Sequence, residues 1–161
     1  MKIKYDYIIC GAGLSGLILA NKIFEDSDFD NKQILIIEKN LSDPLNKTWC
    51  FWEKKNSSWD DYVIKSWDKL LFNSPNFKNE TFLSEYSYKM IKSEFFIKSI
   101  LQKIRNSKNF KIIEDDVLGF DESKDRVIVK TKSNKYLANQ VLNSVVCLLY
   151  TSDAADEVDG V

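Results

Sequence analysis

Histidine is absent from this 161-residue chain. That removes the side chain most often used as a general base near neutral pH, and the commonest metal ligand with it. No metal site is expected. Cysteine is scarce: Cys10, Cys50 and Cys147 stand at no metal-binding spacing, and three thiols make no disulfide framework. This usage fits a reducing compartment. No apolar run approaches the roughly 20 residues that a membrane-spanning helix needs. Met1-Lys2-Ile3-Lys4 lead straight into an apolar strand, without the pattern of a signal peptide. What remains is 44% hydrophobic and 29% charged, the balance of a globular chain able to bury one modest core.

The most informative stretch is Asp6-Tyr7-Ile8-Ile9-Cys10-Gly11-Ala12-Gly13-Leu14-Ser15-Gly16. An apolar strand runs into G-x-G-x-x-G and an apolar helix follows. Gly11 allows the tight turn, Gly13 lets the backbone approach a pyrophosphate, and Gly16 lets the helix pack close to the strand. The helix start adds free N–H groups and a positive dipole end. A second apolar strand, Gln33–Glu38, ends in an acid 22 residues after Gly16, where a ribose-binding carboxylate belongs. The spacing predicts a dinucleotide site made by Gly11, Ala12, Gly13, Leu14, Ser15, Gly16, Glu38 and Lys39.

The pattern predicts strands over Tyr5–Cys10 and Gln33–Glu38 around a helix over Leu14–Glu25, a parallel arrangement covered on both faces. Residues 39–91 read as an irregular insertion holding all four tryptophans, Trp49, Trp52, Trp59 and Trp67. A second helix is expected over Ser93–Arg105 with Ser93 as N-cap. Phe110–Glu114 reads as a further parallel strand. Val117–Phe120, Arg126–Thr131 and Lys135–Leu137 read as an antiparallel meander, with Gln140–Val145 as a separate last strand. Asp115-Asp116 reads as a turn and the many lysines as a solvated surface. The fold class is α/β: a Rossmann-like FAD/NAD(P)-binding domain with a parallel sheet, an aromatic-rich insertion and an antiparallel β-meander, incomplete as it stands.

Residues 1–146 form one truncated domain on this reading. Residues 147–161, CLLYTSDAADEVDGV, carry four acids and no base, and lack the Lys and Asn that fill the body. They read as a non-native tail, similar to the translation of a sequencing adapter. Without them 23 bases face 20 acids, since 24 − 4 = 20, for a net charge of +3.

Three segments carry a family resemblance. Tyr5–Gly16 fits the Y-D-Y-I-I-x-G-A-G-L-S-G opening of the lycopene cyclases. Asn46-Lys47-Thr48-Trp49-Cys50-Phe51-Trp52-Glu53 resembles their R-T-W-C-F-W-E segment, and Tyr86–Ser93 resembles their Y-x-Y-K-M-I-R-S segment. Lys47 and Lys92 stand where that pattern has arginines, a change that matters wherever a bidentate grip is needed. The family's acidic F-L-E-E-T motif does not occur in residues 1–161, so the catalytic acid is unknown.

The resemblance implies an N-terminal part of an enzyme that isomerises the linear end groups of lycopene to rings in carotenoid biosynthesis. Bound reduced FAD and NAD(P)H as donor are implied as cofactors, with no net redox change. It places Lys47, Thr48, Trp49, Phe51 and Trp52 near a flavin or substrate pocket. Tryptophan packing as plain core is the alternative for the aromatic residues, and Cys50 and Glu53 read as core thiol and solvated turn residue. A lipophilic carotenoid partner, peripheral membrane contact and no nucleic acid follow, with a cytoplasmic location on the inner face of a bacterial membrane. The competing reading is an FAD-dependent monooxygenase or a geranylgeranyl-reductase-like oxidoreductase on the same cofactor domain.

Overall fold

The computed structural model describes residues 3–41 and 47–145. The expected tail over 147–161 and Asn46 lie outside the described residues. The described residues divide into two compact units. One is built from the chain up to Lys39 and from Ser107 onward, the other from Asn40–Asn106.

The first unit starts with β1 (Ile3–Cys10), α1 (Leu14–Glu25) and β2 (Ile34–Glu38). Ile34, Leu35, Ile36 and Ile37 are all buried, as an unbroken apolar run demands when both sheet faces are covered. Helix α1 buries Leu17, Ala20 and Ile23 and leaves Phe24 exposed, so its apolar belt is covered only in part.

The second unit holds five strands, β3 (Thr48–Lys54), β4 (Val63–Trp67), β5 (Lys69–Ser74), β6 (Phe77–Phe82) and β7 (Tyr86–Lys92), followed by α2 (Ser93–Arg105). The insertion is therefore mostly strand, not irregular. β3, β7 and β4 form an antiparallel sheet with β7 in the centre, and β5 and β6 form a separate hairpin. Phe96 on α2 anchors an aromatic cluster: Trp49, Trp59 and Tyr62 approach its ring at 5.9, 5.7 and 5.2 Å. Ser93 does not cap α2. Its hydroxyl accepts from the Lys47 N–H at 2.7 Å, and Lys92 stands at the N-cap with no side-chain bond.

The chain then returns to the first unit with β8 (Phe110–Glu114), β9 (Val117–Ser123), β10 (Arg126–Thr131) and β11 (Lys135–Asn143). The six-stranded sheet has the order β8-β2-β1-β11-β10-β9. β8, β2, β1 and β11 run parallel; β11, β10 and β9 form the antiparallel meander. One correction applies. Lys135–Leu137 and Gln140–Val145 are not two strands, because β11 runs unbroken through Ala138 and Asn139. Its first half is hydrogen-bonded on both sides, to β10 and to β1. Asp115-Asp116 makes the corner after β8. The Thr131 hydroxyl donates to Asp115 at 2.7 Å. Burial raises the Asp115 pKa, but this bond and those from the Asp116 and Ser133 N–H groups outweigh it and hold the carboxyl below its usual range.

Candidate functional site

The C-terminal ends of β1, β2 and β11 meet at the loop Gly11–Gly13. The Gly11 N–H donates to Ile37 O at 2.7 Å and the Ser144 N–H donates to Cys10 O at 2.8 Å. Each glycine of the motif does a different job. Gly11 has φ +97°, the left-handed region that favours glycine. Gly16 packs so closely that a Cβ there would lie 2.0 Å from the carbonyl oxygen of Gly11. Gly13 is the N-cap of α1 and faces open space, with nothing within 4 Å of where its Cβ would be. No side chain caps α1, so the first turn presents backbone N–H groups and the positive end of the helix at an uncrowded surface.

Glu38 ends β2 and turns back to this loop. Its Oε2 accepts from the Ala12 N–H at 2.6 Å. Leu14 is half-buried and Ser15 exposed beside the open N-terminus. Lys39 turns away from the loop to pair with Asp116 at 3.2 Å, at the surface. Six of the eight residues named from spacing thus line one loop, Glu38 touches it, and Lys39 engages the β8–β9 corner instead.

The Thr48–Trp52 string is split by the pleat. Trp49, Phe51 and Glu53 share one face of β3; Thr48, Cys50, Trp52 and Lys54 share the other. Trp49 packs edge-on against Phe96. Trp52 is 51% exposed and lies 4.6 Å from Tyr88, ring to ring, with Trp67 on the far side of Tyr88 at 5.8 Å. Lys47 and Thr48 are exposed. Burial, together with the Cys50 thiol next to it, lifts the Tyr88 pKa above the ordinary tyrosine value.

One cysteine expectation is corrected. Cys50 is exposed, not core, because it projects from the face opposite Phe51. Cys10 is the buried thiol, and burial pushes its pKa up to about 12. Maleimide labelling of the native chain with peptide mapping is expected to modify Cys50 and spare Cys10; equal labelling of both would contradict the packing of β1.

Glu53 is not a solvated turn residue, and Lys89 is no surface lysine. Lys89 is 3% exposed. Its ammonium donates to Asp60 Oδ1 at 2.5 Å, Glu53 Oε2 at 3.1 Å, Lys54 O at 3.1 Å and Ser57 Oγ at 3.3 Å. Sequence reasoning missed this cluster. The available signal was the alternation of β7, which puts Ser87, Lys89 and Ile91 on one buried face.

The family model described as lycopene cyclase protein matches residues 6–147. No curated protein matches the chain in sequence. Among solved structures, p-nitrophenol 4-monooxygenase PnpA from Pseudomonas putida DLL-E4 superposes with TM-score 0.68 at 14% identity, covering 89% of this chain and 41% of that one. For pqsL from Pseudomonas aeruginosa, described as a probable FAD-dependent monooxygenase, the values are 0.62, 12%, 86% and 41%. For a thioredoxin reductase from Gloeobacter violaceus they are 0.51, 14%, 88% and 34%. This chain thus spans 34–41% of the length of these three proteins. At such identities the likeness shows the fold, a Rossmann-like α/β architecture of the FAD/NAD(P)-binding kind. The sequence match covers the glycine loop, β3 and β7 together, and by it the chain belongs to the lycopene cyclase family.

Proposed function

We propose that this chain is the FAD-holding N-terminal part of an enzyme that cyclises the end groups of lycopene. The observation that carries the reading is the family match over 6–147, which spans the dinucleotide loop and both family segments. The loop also fits the adenine-dinucleotide half of FAD on its own geometry. Open space at Gly13 leaves room for a phosphate where a side chain would stand, and the uncapped start of α1 supplies donors to it. Glu38, already at the Ala12 N–H, would be the residue to accept from a ribose hydroxyl of the bound cofactor. When bound and reduced, FAD supplies the cofactor state that the cyclisation needs without net redox change, with NAD(P)H as the donor.

The reaction on this reading protonates a terminal double bond, closes a ring by attack of a second double bond, and releases a proton. The protonating acid needs a raised pKa in a dry pocket; the family's acidic F-L-E-E-T motif, which would carry it, does not occur in residues 1–161. What this chain contributes is binding: Gly11, Ala12, Gly13, Leu14, Ser15, Gly16 and Glu38 toward the cofactor. Trp49, Phe51 and Trp52, with Lys47 and Thr48 beside them, contribute toward a carotenoid pocket, where aromatic faces attract developing positive charge. Because the pleat points Trp49 and Phe51 one way and Trp52 the other, at most one of the two sets serves as the wall of a given pocket. We place the enzyme in the cytoplasm, peripheral to the membrane in which its substrate dissolves.

Co-expression in a lycopene-accumulating bacterium, with pigments read by chromatography, tests the proposal. The complete reading frame of the source locus is expected to yield a cyclic carotene, and residues 1–161 alone to leave lycopene unchanged. Glu38→Ala in the complete protein is expected to lower flavin retention about tenfold, on the basis of one charge-assisted hydrogen bond. Hydroxylation or reduction of a polyprenyl substrate with lycopene untouched would establish the monooxygenase or reductase reading instead.

A further inference from the structure

The β3–β7–β4 sheet uses its two faces differently. The inner face meets α2, where Trp49 packs on Phe96, and holds the Lys89 cluster. The outer face follows from the register, since residues directly opposite in an antiparallel pair project from the same side. Trp52 on β3, Tyr88 on β7 and Trp67 on β4 form one row across all three strands. Tyr88 stands between the two tryptophans, its ring 4.6 Å from Trp52 and 5.8 Å from Trp67. The Trp52 ring at the edge keeps half its surface open.

Cations flank this row. Lys54 lies two residues beyond Trp52 on β3, and Lys65 two residues before Trp67 on β4. They therefore stand at opposite ends of the row and on opposite sides of it. The Lys65 ammonium lies 5.1 Å from the centre of the Trp67 ring. Lys92 shares the same face further along β7. None of the three forms an ion pair among the described residues. Glu94, two residues on from Lys92, is paired with Lys98 at 2.5 Å. The register places no carboxylate on this face among the described residues.

Rings and charge together select the occupant. A hydrocarbon chain gains nothing from three ammonium groups and strips them of water where it covers them. An inorganic anion or an acidic peptide gains nothing from a row of rings. A flat heteroaromatic base stacks on such rings, at about 1–3 kcal/mol per base, and its phosphates meet the lysines in charge-assisted hydrogen bonds. A nucleic-acid strand carries the same two chemistries. Three strands at their ordinary spacing make a row of only about 10 Å, though, and an aromatic single-strand site tracks roughly four nucleotides or more. We propose that the outer face of the β3–β7–β4 sheet is a binding site for a free nucleoside diphosphate, its base on the Trp52–Tyr88–Trp67 row and its phosphates on Lys54 and Lys65. The site shares no residue with the glycine loop and holds whether or not the protein cyclises lycopene. It assigns Trp52 to the nucleotide and leaves the Trp49–Phe51 set to the carotenoid wall.

Titration of the purified 161-residue chain with adenosine diphosphate tests it, read on the indole N–H signals in proton–nitrogen correlation spectra. The nucleotide is expected to shift the Trp52 and Trp67 signals saturably and to leave those of Trp49 and Trp59, which pack on Phe96, in place. Those two signals thus distinguish this site from nucleotide at the glycine loop, where no tryptophan stands. Trp52→Leu is expected to weaken the response of Trp67 about tenfold, for one lost stacking partner. Lys54→Glu with Lys65→Glu is expected to weaken adenosine diphosphate about tenfold or more and uncharged adenosine little. Unmoved Trp49 and Trp59 signals in each variant check that the unit keeps its fold. The proposal is overturned by the absence of a saturable shift at millimolar nucleotide, or by equal affinity of the charge-reversed variant, which would leave unspecific stacking only. A short oligodeoxyadenylate that binds more than tenfold tighter than the diphosphate also overturns it, in favour of a nucleic-acid site.

Discussion

Gly16→Ala is expected to lower the unfolding free energy by about 3 kcal/mol or more, read by urea denaturation followed by circular dichroism. The added Cβ would lie 2.0 Å from the Gly11 carbonyl oxygen, and that atom belongs to backbone, which cannot rotate away. Relief requires α1 to lift from the end of β1, and the same movement opens the loop that Glu38 holds through Ala12. Gly13→Ala makes the informative contrast. Its Cβ would meet nothing within 4 Å, and the residue keeps φ −74°, so stability should change by less than about 1 kcal/mol. Its effect should fall on flavin binding, because the methyl enters the space proposed for phosphate. A Gly16→Ala loss below about 1 kcal/mol would show that the helix and strand have slack there.

Lys89→Met is expected to cost about 2 kcal/mol near pH 7. Removing one member of a fully buried ion pair costs roughly 3–5 kcal/mol. Here Glu53 and Asp60 keep 25 and 42% of their side-chain surface, so water takes up part of the orphaned charge and the lower figure applies. Glu53→Gln should cost less, since Asp60 still answers the ammonium. The pH dependence has a definite sign. The Lys89 hydrogen bond, against an opposing effect of burial, holds the Asp60 pKa below its ordinary 3.8. That contribution is complete above about pH 4 and fades as pH falls through the lowered folded value. For Lys89, burial disfavours the charge, but Asp60 and Glu53 outweigh it and raise the pKa above its ordinary 10.5. That contribution is complete below about pH 10 and fades as pH rises through the raised value. The cluster is therefore in force across the neutral range. The variant should lose the acid-side slope that Asp60 gives the parent, and identical stability–pH curves below pH 4 would remove Lys89 as its cause.

The parallel half of the larger sheet was legible because its signals are local. An unbroken apolar run marks β2, and the glycine spacing marks the turn between β1 and α1. The insertion was not legible as strand, for a definable reason. Alternation identifies a half-buried strand only when its outer face is polar. β3 places Cys50 and Trp52 outward opposite Trp49 and Phe51, and the β5–β6 hairpin exposes apolar residues on both faces. Neither stretch shows a period of two. The break expected in β11 had a similar origin: polar Asn139-Gln140 interrupts the apolar run, yet Asn139 donates to Asp6 at 3.2 Å and the strand continues beside β1.

The sequence by itself determined the glycine loop Gly11–Gly16. Its requirements are a left-handed residue, a bare approach and a close contact within six positions, and only glycine meets all of them at low cost. It determined the placing of Glu38 as well, since a strand of that length after an apolar helix ends beside the loop. Only the tertiary structure decided which side chains of the Thr48–Glu53 string act together, that Cys50 is exposed, and that Lys89 is buried with Glu53 and Asp60. Each of these depends on the antiparallel register of β3 on β7, which pairs Phe51 with Lys89 across 38 residues of chain. A shift of that register by one residue reverses every side chain on the strand, and nothing in residue type alone specifies it.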